Sequence, residues 1–237
     1  MEAPDLSIVM PCLNEEATVG RCVEDAQAFL AGRSLRGEVI VADNGSTDAS
    51  ARIAAEHGAR VIRESRQGYG FALRAGIAEA RGKVIILGDC DCTYDFLHLD
   101  NFYDPLARGE YDLMVGDRFA GGIGKGAMPL THRAGVKALS WLGRRRYRTD
   151  VRDFHCGLRG LTGDAARRLS FQTGGMEFAT EMIALAAAAG LRIGQCPTPL
   201  HPCDLPRRSK LRPVPDGFRH LRYILNSPSG FGEGSGR

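Results

Sequence analysis

The chain has 237 residues, of which 43% are hydrophobic and 25% are charged, and these proportions are typical of a folded globular protein with one large core. Its net charge of +3 is too small to indicate nucleic-acid binding, and aromatic residues do not alternate with its basic clusters in a stacking pattern. The seven cysteines are scattered without a paired C-x-x-C, which favours a reducing compartment over a disulfide framework.

Strands and helices alternate along the first half of the chain. Apolar runs typical of buried strands occur at 6–10, 39–41, 84–87 and 113–115, and a short third strand is expected at 59–63. Helical spacing of apolar residues is found at 19–30, from 46 or 47 to about 57, at 68–80 and at 177–189. Asn14, and then Ser46 or Thr47, are the expected N-caps of the first two helices. This alternation predicts an α/β fold, with a mostly parallel sheet and helices on both of its faces.

Two aspartates follow the strand at 84–87, directly after Gly88. Asp89 and Asp91 therefore lie at the carboxyl end of a buried strand, which is where open α/β sheets bind ligands. With one residue between them, both carboxylates face the same side of an extended chain, and their repulsion favours a bound cation. Such a pair suits Mg²⁺ or Mn²⁺, which retain coordination positions for water and diphosphate oxygens. The same Asp-x-Asp pattern also occurs in solvated turns that bind no metal.

Polar residues also end two other predicted strands. Asn14 and Glu15 follow the first strand, and Asp43 ends the second. Because parallel strands present their carboxyl ends at one edge of the sheet, these residues are expected to converge with Asp89. The convergence predicts a ligand-binding crevice at that edge.

Several motifs carry a family resemblance. S-I-V-M-P-C-L-N-E, V-A-D-N-G-S-T-D and G-D-C-D closely resemble the three successive motifs of GT-A fold, family 2 glycosyltransferases. In the second half, V-G-D-R, H-C-G-L-R-G, G-M-E-F and D-G-F-R-H-L-R are similar to the bacterial branch of polyprenyl-phosphate and dolichol-phosphate sugar synthases. The resemblance implies a single Rossmann-like GT-A domain at 1–228, divided into a nucleotide-binding half at about 1–117 and an acceptor half at about 118–228. Residues 229–237 are expected to form a flexible tail.

This resemblance implies an inverting, metal-dependent transfer of a sugar from a nucleoside diphosphate sugar, with UDP or GDP, to a polyprenyl-phosphate-type acceptor. The residues that it places at the nucleotide are Pro11, Asn14, Glu15, Asp43, Asp89 and Cys90. Those that it places at the metal are Asp89 and Asp91. The implied catalytic residues are Asp91, Arg118 and Arg133, and those at the acceptor phosphate are Arg133, Arg208 and Lys210. Asn44 departs from an aspartate that is common in the family, and Thr93 stands where some relatives have another polar residue beside the metal.

A glycosyltransferase acting on a hydroxyl or thiol of a saccharide, peptide or small molecule is the alternative. Such an acceptor needs a carboxylate base, for which Asp153 is the candidate, whereas an acceptor phosphate is already anionic near neutral pH. The Q-x-x-R-W signature of processive saccharide synthases is absent from the sequence. A nucleotide-binding regulator without catalysis is the remaining alternative.

The sequence also bears on membrane contact. No apolar stretch approaches the ~20 residues that a membrane span requires, and the N-terminal residues lack the pattern of a signal peptide. We therefore expect a cytoplasmic protein, with peripheral contact on the inner face of the cell membrane. Phe218, Leu221 and Leu225 fall on one helical face, which fits both a short interfacial helix and a helix packed on the domain.

Overall fold

The structure is a computed structural model, and it describes residues 3–203, 205 and 212–227. The strands within these residues are β1 (Leu6–Cys12), β2 (Gly37–Asp43), β3 (Arg60–Arg63), β4 (Val84–Leu87), β5 (Leu113–Asp117), β6 (Arg159–Thr162) and β7 (Ile193–Pro197). The helices are α1 (Val19–Gly32), α2 (Ser50–Glu56), α3 (Tyr69–Glu79), α4 (Asp100–Ala107), α5 (Arg118–Gly121), α6 (Leu130–Tyr147), α7 (Gly163–Arg168), α8 (Phe178–Ala188) and α9 (Pro213–Asn226).

The strands form one sheet in the order β3-β2-β1-β4-β6-β5-β7. All neighbouring strands are parallel except β6, which is antiparallel to both β4 and β5. This arrangement confirms the predicted α/β class and the mostly parallel sheet. The chain builds β1, β2 and β3 in one direction and then returns to place β4 on the other side of β1. Such a reversal opens a crevice at the carboxyl ends of the strands.

The central strands are buried on both faces. Ile8 and Met10 of β1 pack in the hydrophobic cluster that includes Val23 of α1, whereas Val9 packs in the opposite cluster with Leu73 of α3. Burying one such aliphatic side chain stabilises the fold by about 1.5–3 kcal/mol. The strand therefore holds the loop at its carboxyl end in a fixed position relative to the neighbouring strands.

The two predicted halves of the chain contribute to the same sheet. β5 lies at the end of the nucleotide-binding half, and its neighbours are β6 and β7 from the acceptor half. No helix in the described residues combines the length and hydropathy needed to cross a bilayer. The predicted tail at 229–237 lies outside the described residues.

The expected N-caps of the first two helices are wrong. α1 begins at Val19 and α2 begins at Ser50, several residues after Asn14, Ser46 and Thr47. Asn14 adopts a left-handed backbone conformation, with φ of 52°, so the chain turns there before the helix starts. The polar side chains instead join the loops that follow β1 and β2.

Candidate active site

Hydrogen bonds join the loops after β1 and β2 at the carboxyl edge of the sheet. The Asn14 side-chain oxygen accepts a hydrogen bond of 2.8 Å from the Thr47 backbone N–H, and the Asn14 N–H donates to Ser46 Oγ at 3.0 Å. The Glu15 N–H donates to Ser50 Oγ at 2.7 Å. These contacts place Asn14 and Glu15 beside the end of β2, as the sequence predicts.

Asp43 and Glu15 present acidic side chains to this edge. Asp43 is buried, and its Oδ1 accepts a hydrogen bond of 3.1 Å from the Ser46 N–H. Glu15 is also buried, and its Oε2 lies 3.4 Å from Thr18 Oγ1. Both carboxylates are therefore held by neighbouring polar groups, which fixes where they can meet a ligand.

Asn44 fastens a neighbouring segment of the chain. Its side-chain nitrogen donates to the carbonyl oxygens of Glu64 and Arg66, at 3.0 and 2.8 Å. Its side-chain oxygen accepts a hydrogen bond of 2.7 Å from the Gly68 N–H. A carboxylate at this position would accept the last hydrogen bond but could not donate the first two. The departure from the family's aspartate therefore has a structural role.

The loop after β4 carries the two predicted metal ligands. Asp89 and Asp91 are both half-buried. The Asp91 Oδ1 accepts hydrogen bonds from the Thr93 N–H, at 3.0 Å, and from the Thr93 hydroxyl. Thr93 is buried, so its contact with Asp91 fixes the orientation of the Asp91 carboxylate.

Gly157 and Tyr69 lie beside Asp89, Tyr94 supports Gly157, and the sequence patterns do not reveal these contacts. A β-carbon at Gly157 would collide with Asp89 Oδ2, so only glycine leaves room for this carboxylate. The Tyr94 hydroxyl accepts a hydrogen bond of 2.9 Å from the Gly157 N–H. Burial, and then the negative charge of Asp89, raises the pKa of Tyr69 well above its usual value. Tyr69 at the start of α3 therefore stays a neutral neighbour of Asp89.

The donor set fits a hard divalent cation. Asp89 and Asp91 supply carboxylate oxygens in the loop after β4, and carboxylate oxygens are ligands that Mg²⁺ and Mn²⁺ prefer. Among 3–203, 205 and 212–227, no group of three or more His, Cys, Asp or Glu side chains is arranged to hold a metal. A cation bound here would therefore complete its coordination with water and substrate oxygens, as nucleotide-bound Mg²⁺ commonly does.

Cys90 and Pro11, two predicted nucleotide contacts, meet each other in the structure. Cys90 is buried in the core, where its thiol donates to the Pro11 carbonyl at 3.2 Å. The Cys90 carbonyl accepts a hydrogen bond of 2.7 Å from the Thr18 hydroxyl. The Cys90 side chain thus anchors the loop between the two aspartates, and it does not face the crevice.

Arg118 and Asp153 form a buried ion pair. Arg118 Nε and Nη2 donate to the two Asp153 oxygens at 2.6 and 2.8 Å, a bidentate geometry. The Arg118 side chain is 8% exposed and that of Asp153 is fully buried. Arg118 therefore carries its own counter-ion. Asp153 is occupied by the guanidinium, which argues against its use as a base.

The remaining predicted acceptor residues are placed only in part. Arg133, near the start of α6, is half-buried, and its Nε donates to the Met128 carbonyl at 3.1 Å. This contact orients the guanidinium of Arg133. Arg208 and Lys210 lie outside the described residues.

The fold is similar to that of solved glycosyltransferases. The glucosyl-3-phosphoglycerate synthase of Mycobacterium tuberculosis, solved with Mn²⁺, UDP-glucose and phosphoglyceric acid, is 24% identical, with a TM-score of 0.70. The match covers 98% of this chain and 82% of that chain. A structure of the same synthase with UDP also gives a TM-score of 0.70, at 23% identity over the same shares. This likeness confirms the predicted GT-A fold.

Two curated relatives are proteins of Haloferax volcanii. The low-salt glycan biosynthesis hexosyltransferase Agl6 is 40% identical over 97% of this chain, which spans only 55% of the length of Agl6. A dolichyl-phosphate hexose transferase is 34% identical, and the match covers 82% of each protein. The family model for glycosyl transferase family 2 matches residues 7–172, well over half of the sequence. The chain therefore belongs to glycosyl transferase family 2.

Proposed function

We propose that the protein transfers a hexose from a nucleoside diphosphate sugar to a polyprenyl-phosphate-type acceptor, with inversion at the anomeric carbon. The observation that carries this proposal is that Asp89 and Asp91 follow β4, Asp43 ends β2 and the loop at 11–15 ends β1, three parallel strands whose carboxyl ends share one edge of the sheet. Two relatives support the acceptor class. They are the dolichyl-phosphate hexose transferase and a dodecaprenyl-phosphate galacturonate synthase of Rhizobium johnstonii, 36% identical over 50% of this chain.

The proposed metal site would serve the leaving group. Asp89 and Asp91 would hold the divalent cation, which when bound would supply positive charge beside the leaving diphosphate. Thr93 holds one oxygen of Asp91, which keeps that carboxylate in place as the nucleotide binds. Asp43 and Glu15 would orient the base and the ribose, in a crevice that the loops after β1 and β2 already form.

The acceptor would approach from the side that carries Arg118 and Arg133. An acceptor phosphate is anionic, so it attacks without losing a proton and requires no base. The main task of the chain is then to hold two negatively charged reactants together. Arg133 would contact the acceptor phosphate, and Arg208 and Lys210 are proposed for the same contact. Arg118, with Asp153 as its counter-ion, would supply a fixed guanidinium near the diphosphate.

One observation favours the hydroxyl acceptor as a second candidate. Asp153 is engaged by Arg118, but the Glu177 Oε2 is buried without a hydrogen-bond partner among the described residues. In this second candidate, the Glu177 Oε2 would take the proton of the acceptor hydroxyl. The M. tuberculosis synthase, whose structure was solved with phosphoglyceric acid, has the same fold.

The C-terminal helix supports contact with a membrane. Val214, Phe218 and Leu225 form an outward stripe on α9, with 68%, 68% and 60% of each side chain exposed. The opposite face of the helix packs on the domain through Asp216, His220 and Ile224. Arg219 and Arg222 are exposed beside the stripe. An apolar stripe flanked by arginines suits the surface of an anionic bilayer, where a polyprenyl phosphate resides.

A transfer assay with purified protein tests the proposal. The protein would be incubated with Mn²⁺, UDP- or GDP-linked hexoses and a short-chain polyprenyl phosphate, and the lipid product would be identified by mass spectrometry. We expect a hexosyl phosphate lipid, and we expect Asp91→Asn to lower its rate by at least 10³-fold while circular dichroism stays unchanged, because the cation loses a charged ligand. Near-normal turnover by Asp91→Asn would reject the metal site. Transfer to glycerate or a saccharide hydroxyl alone would favour the second candidate.

A further inference from the structure

Two thiols meet between α1 and the loop that carries the metal ligands. Cys22 lies on α1 and is buried, and Cys92 directly follows Asp91 and is half-buried. Their sulfur atoms are 3.6 Å apart. A disulfide has an S–S distance of about 2.05 Å, so the two sulfurs need to approach by only about 1.5 Å to form one.

Movement of Cys92 would be transmitted to the proposed metal site. Cys92 has a left-handed backbone conformation, with φ of 59°, which is uncommon for a residue other than glycine. The Cys92 thiol also lies 3.8 Å from the Thr18 carbonyl, and the Thr18 hydroxyl holds Cys90. The loop between Asp89 and Thr93 is thus fastened at several points. Because Asp91 directly precedes Cys92, a shift of Cys92 towards α1 would also displace Asp91.

We propose that Cys22 and Cys92 form a reversible disulfide that weakens cation binding by Asp89 and Asp91. The disulfide site stands on the geometry of the two thiols, whereas its effect on the cation rests on the function proposed above. Cys92 is the partner that a small oxidant reaches first, because Cys22 is fully enclosed and Cys92 is half-buried. Intracellular disulfides of this kind are generally transient and redox-sensing.

Hydrogen peroxide is an oxidant that balances the reaction. The Cys92 thiolate attacks one peroxide oxygen, the O–O bond breaks, and hydroxide leaves to form water with the thiol proton. The resulting sulfenic acid is attacked by the Cys22 sulfur, the S–O bond breaks, and a second water leaves. The two thiols lose two electrons in total, which reduce one peroxide to two waters. A small dithiol reverses the modification by thiol–disulfide exchange.

Mass spectrometry tests the site without relying on enzymatic activity. The folded protein would be treated with equimolar peroxide, alkylated and digested without reduction. We expect a loss of about 2 Da from the intact protein and a cross-linked peptide pair whose fragments assign the bond to Cys22 and Cys92. Cys22→Ala should abolish the cross-link, and Cys203→Ala, a control at a cysteine distant in sequence, should retain it. If Cys22→Ala fails to fold by circular dichroism, Cys22→Val replaces it.

Cation binding tests the effect of the disulfide. The affinity of the reduced and oxidised protein for Mn²⁺ with UDP would be measured by titration calorimetry. We expect oxidation to weaken binding at least tenfold in the wild type, dithiothreitol to restore it, and Cys22→Ala to be insensitive. Free thiols after oxidation, or a bond between other cysteines such as Cys12 and Cys90, would overturn the proposal. A mapped Cys22–Cys92 bond with unchanged affinity would reject the switch. If the reduced protein does not bind Mn²⁺ with UDP, the metal site of the proposed function fails, and the switch fails with it.

Discussion

At the scale of single residues, Asn44 shows how one side chain fixes the shape of the site. Its amide makes three hydrogen bonds with residues 64–68. The side chain donates two of them and accepts the third, so it must carry both a donor and an acceptor group. The segment that it holds leads directly into α3, which begins with Tyr69, the neighbour of Asp89. Asparagine at this position, where the family commonly has aspartate, therefore helps to fix where α3 begins.

We predict that Asn44→Asp destabilises the protein by roughly 1–3 kcal/mol, because the Glu64 and Arg66 carbonyls lose their donor and face a negative charge on a buried side chain. Urea denaturation measures the change in the free energy of unfolding. Asn101→Asp introduces the same charge at an exposed position on α4 and should leave that free energy nearly unchanged. A loss below about 0.5 kcal/mol for Asn44→Asp would show that the loop rearranges to accept the carboxylate.

The sequence predicted the acidic residues of the site better than their partners. Asp43 and Asp89 could be placed because each follows an apolar run that ends at the same edge of a parallel sheet. Arg118 and Asp153 pair across 35 residues, and neither lies in a periodic pattern that would indicate the other. Gly157 has a role only because Asp89 lies against it, which depends on the pairing of β4 with β6. Contacts of this type depend on the tertiary fold.

At the scale of whole elements, α9 has one face that packs on the domain and one exposed apolar stripe. The helical spacing of Phe218, Leu221 and Leu225 in the sequence fitted both packing and an interface. The structure separates the two uses, because Ile224 is fully buried while Phe218 and Leu225 are mostly exposed. The spacing of Phe218, Leu221 and Leu225 does not by itself show which face of the helix packs on the domain.

We predict that the outward stripe of α9 binds anionic vesicles. Phe218→Ser with Leu225→Ser should weaken co-sedimentation with phosphatidylglycerol vesicles about tenfold or more, because each large apolar side chain contributes about 1.5–3 kcal/mol when buried. Leu97→Ser with Tyr111→Ser removes two exposed apolar side chains from other surfaces and serves as the control. Equal binding by both double variants would show that another surface contacts the membrane.

At the scale of the whole molecule, the parallel half of the sheet follows from the sequence and the rest does not. The runs that predict β1, β2, β4 and β5 are largely apolar, as strands buried on both faces are, whereas β3 at the edge, R-V-I-R, is half-buried and carries two arginines. β6 reads R-G-L-T and β7 reads I-G-Q-C-P, so neither shows an apolar run or a clear alternation. Their place in the sheet comes from pairing with β4 and β5, over large separations along the chain. Residues 118–228 therefore depend on the sheet that residues 1–117 begin.

The stability of the whole protein is also sensitive to acid, through a buried histidine on α9. His220 of α9 is buried, and its Nδ1 lies 2.8 Å from the hydroxyl of Thr180 on α8. The His155 ring packs edge-on against it, with centroids 4.2 Å apart. Burial, and then the positive charge of Arg159, lowers the pKa of His220 to about 3. Folding therefore favours the neutral ring.

In the unfolded chain, His220 takes up a proton near the ordinary histidine pKa of about 6.5. The stability that neutral His220 contributes to the folded state is therefore complete above that pH, and it declines as the pH falls towards 3. We predict that lowering the pH from 7 to 5 costs the wild type about 2 kcal/mol more than it costs His220→Asn, which retains a polar partner for Thr180 but does not titrate. Urea denaturation at a series of pH values measures the difference. Parallel pH profiles for the two proteins would show that folding does not lower the pKa of His220.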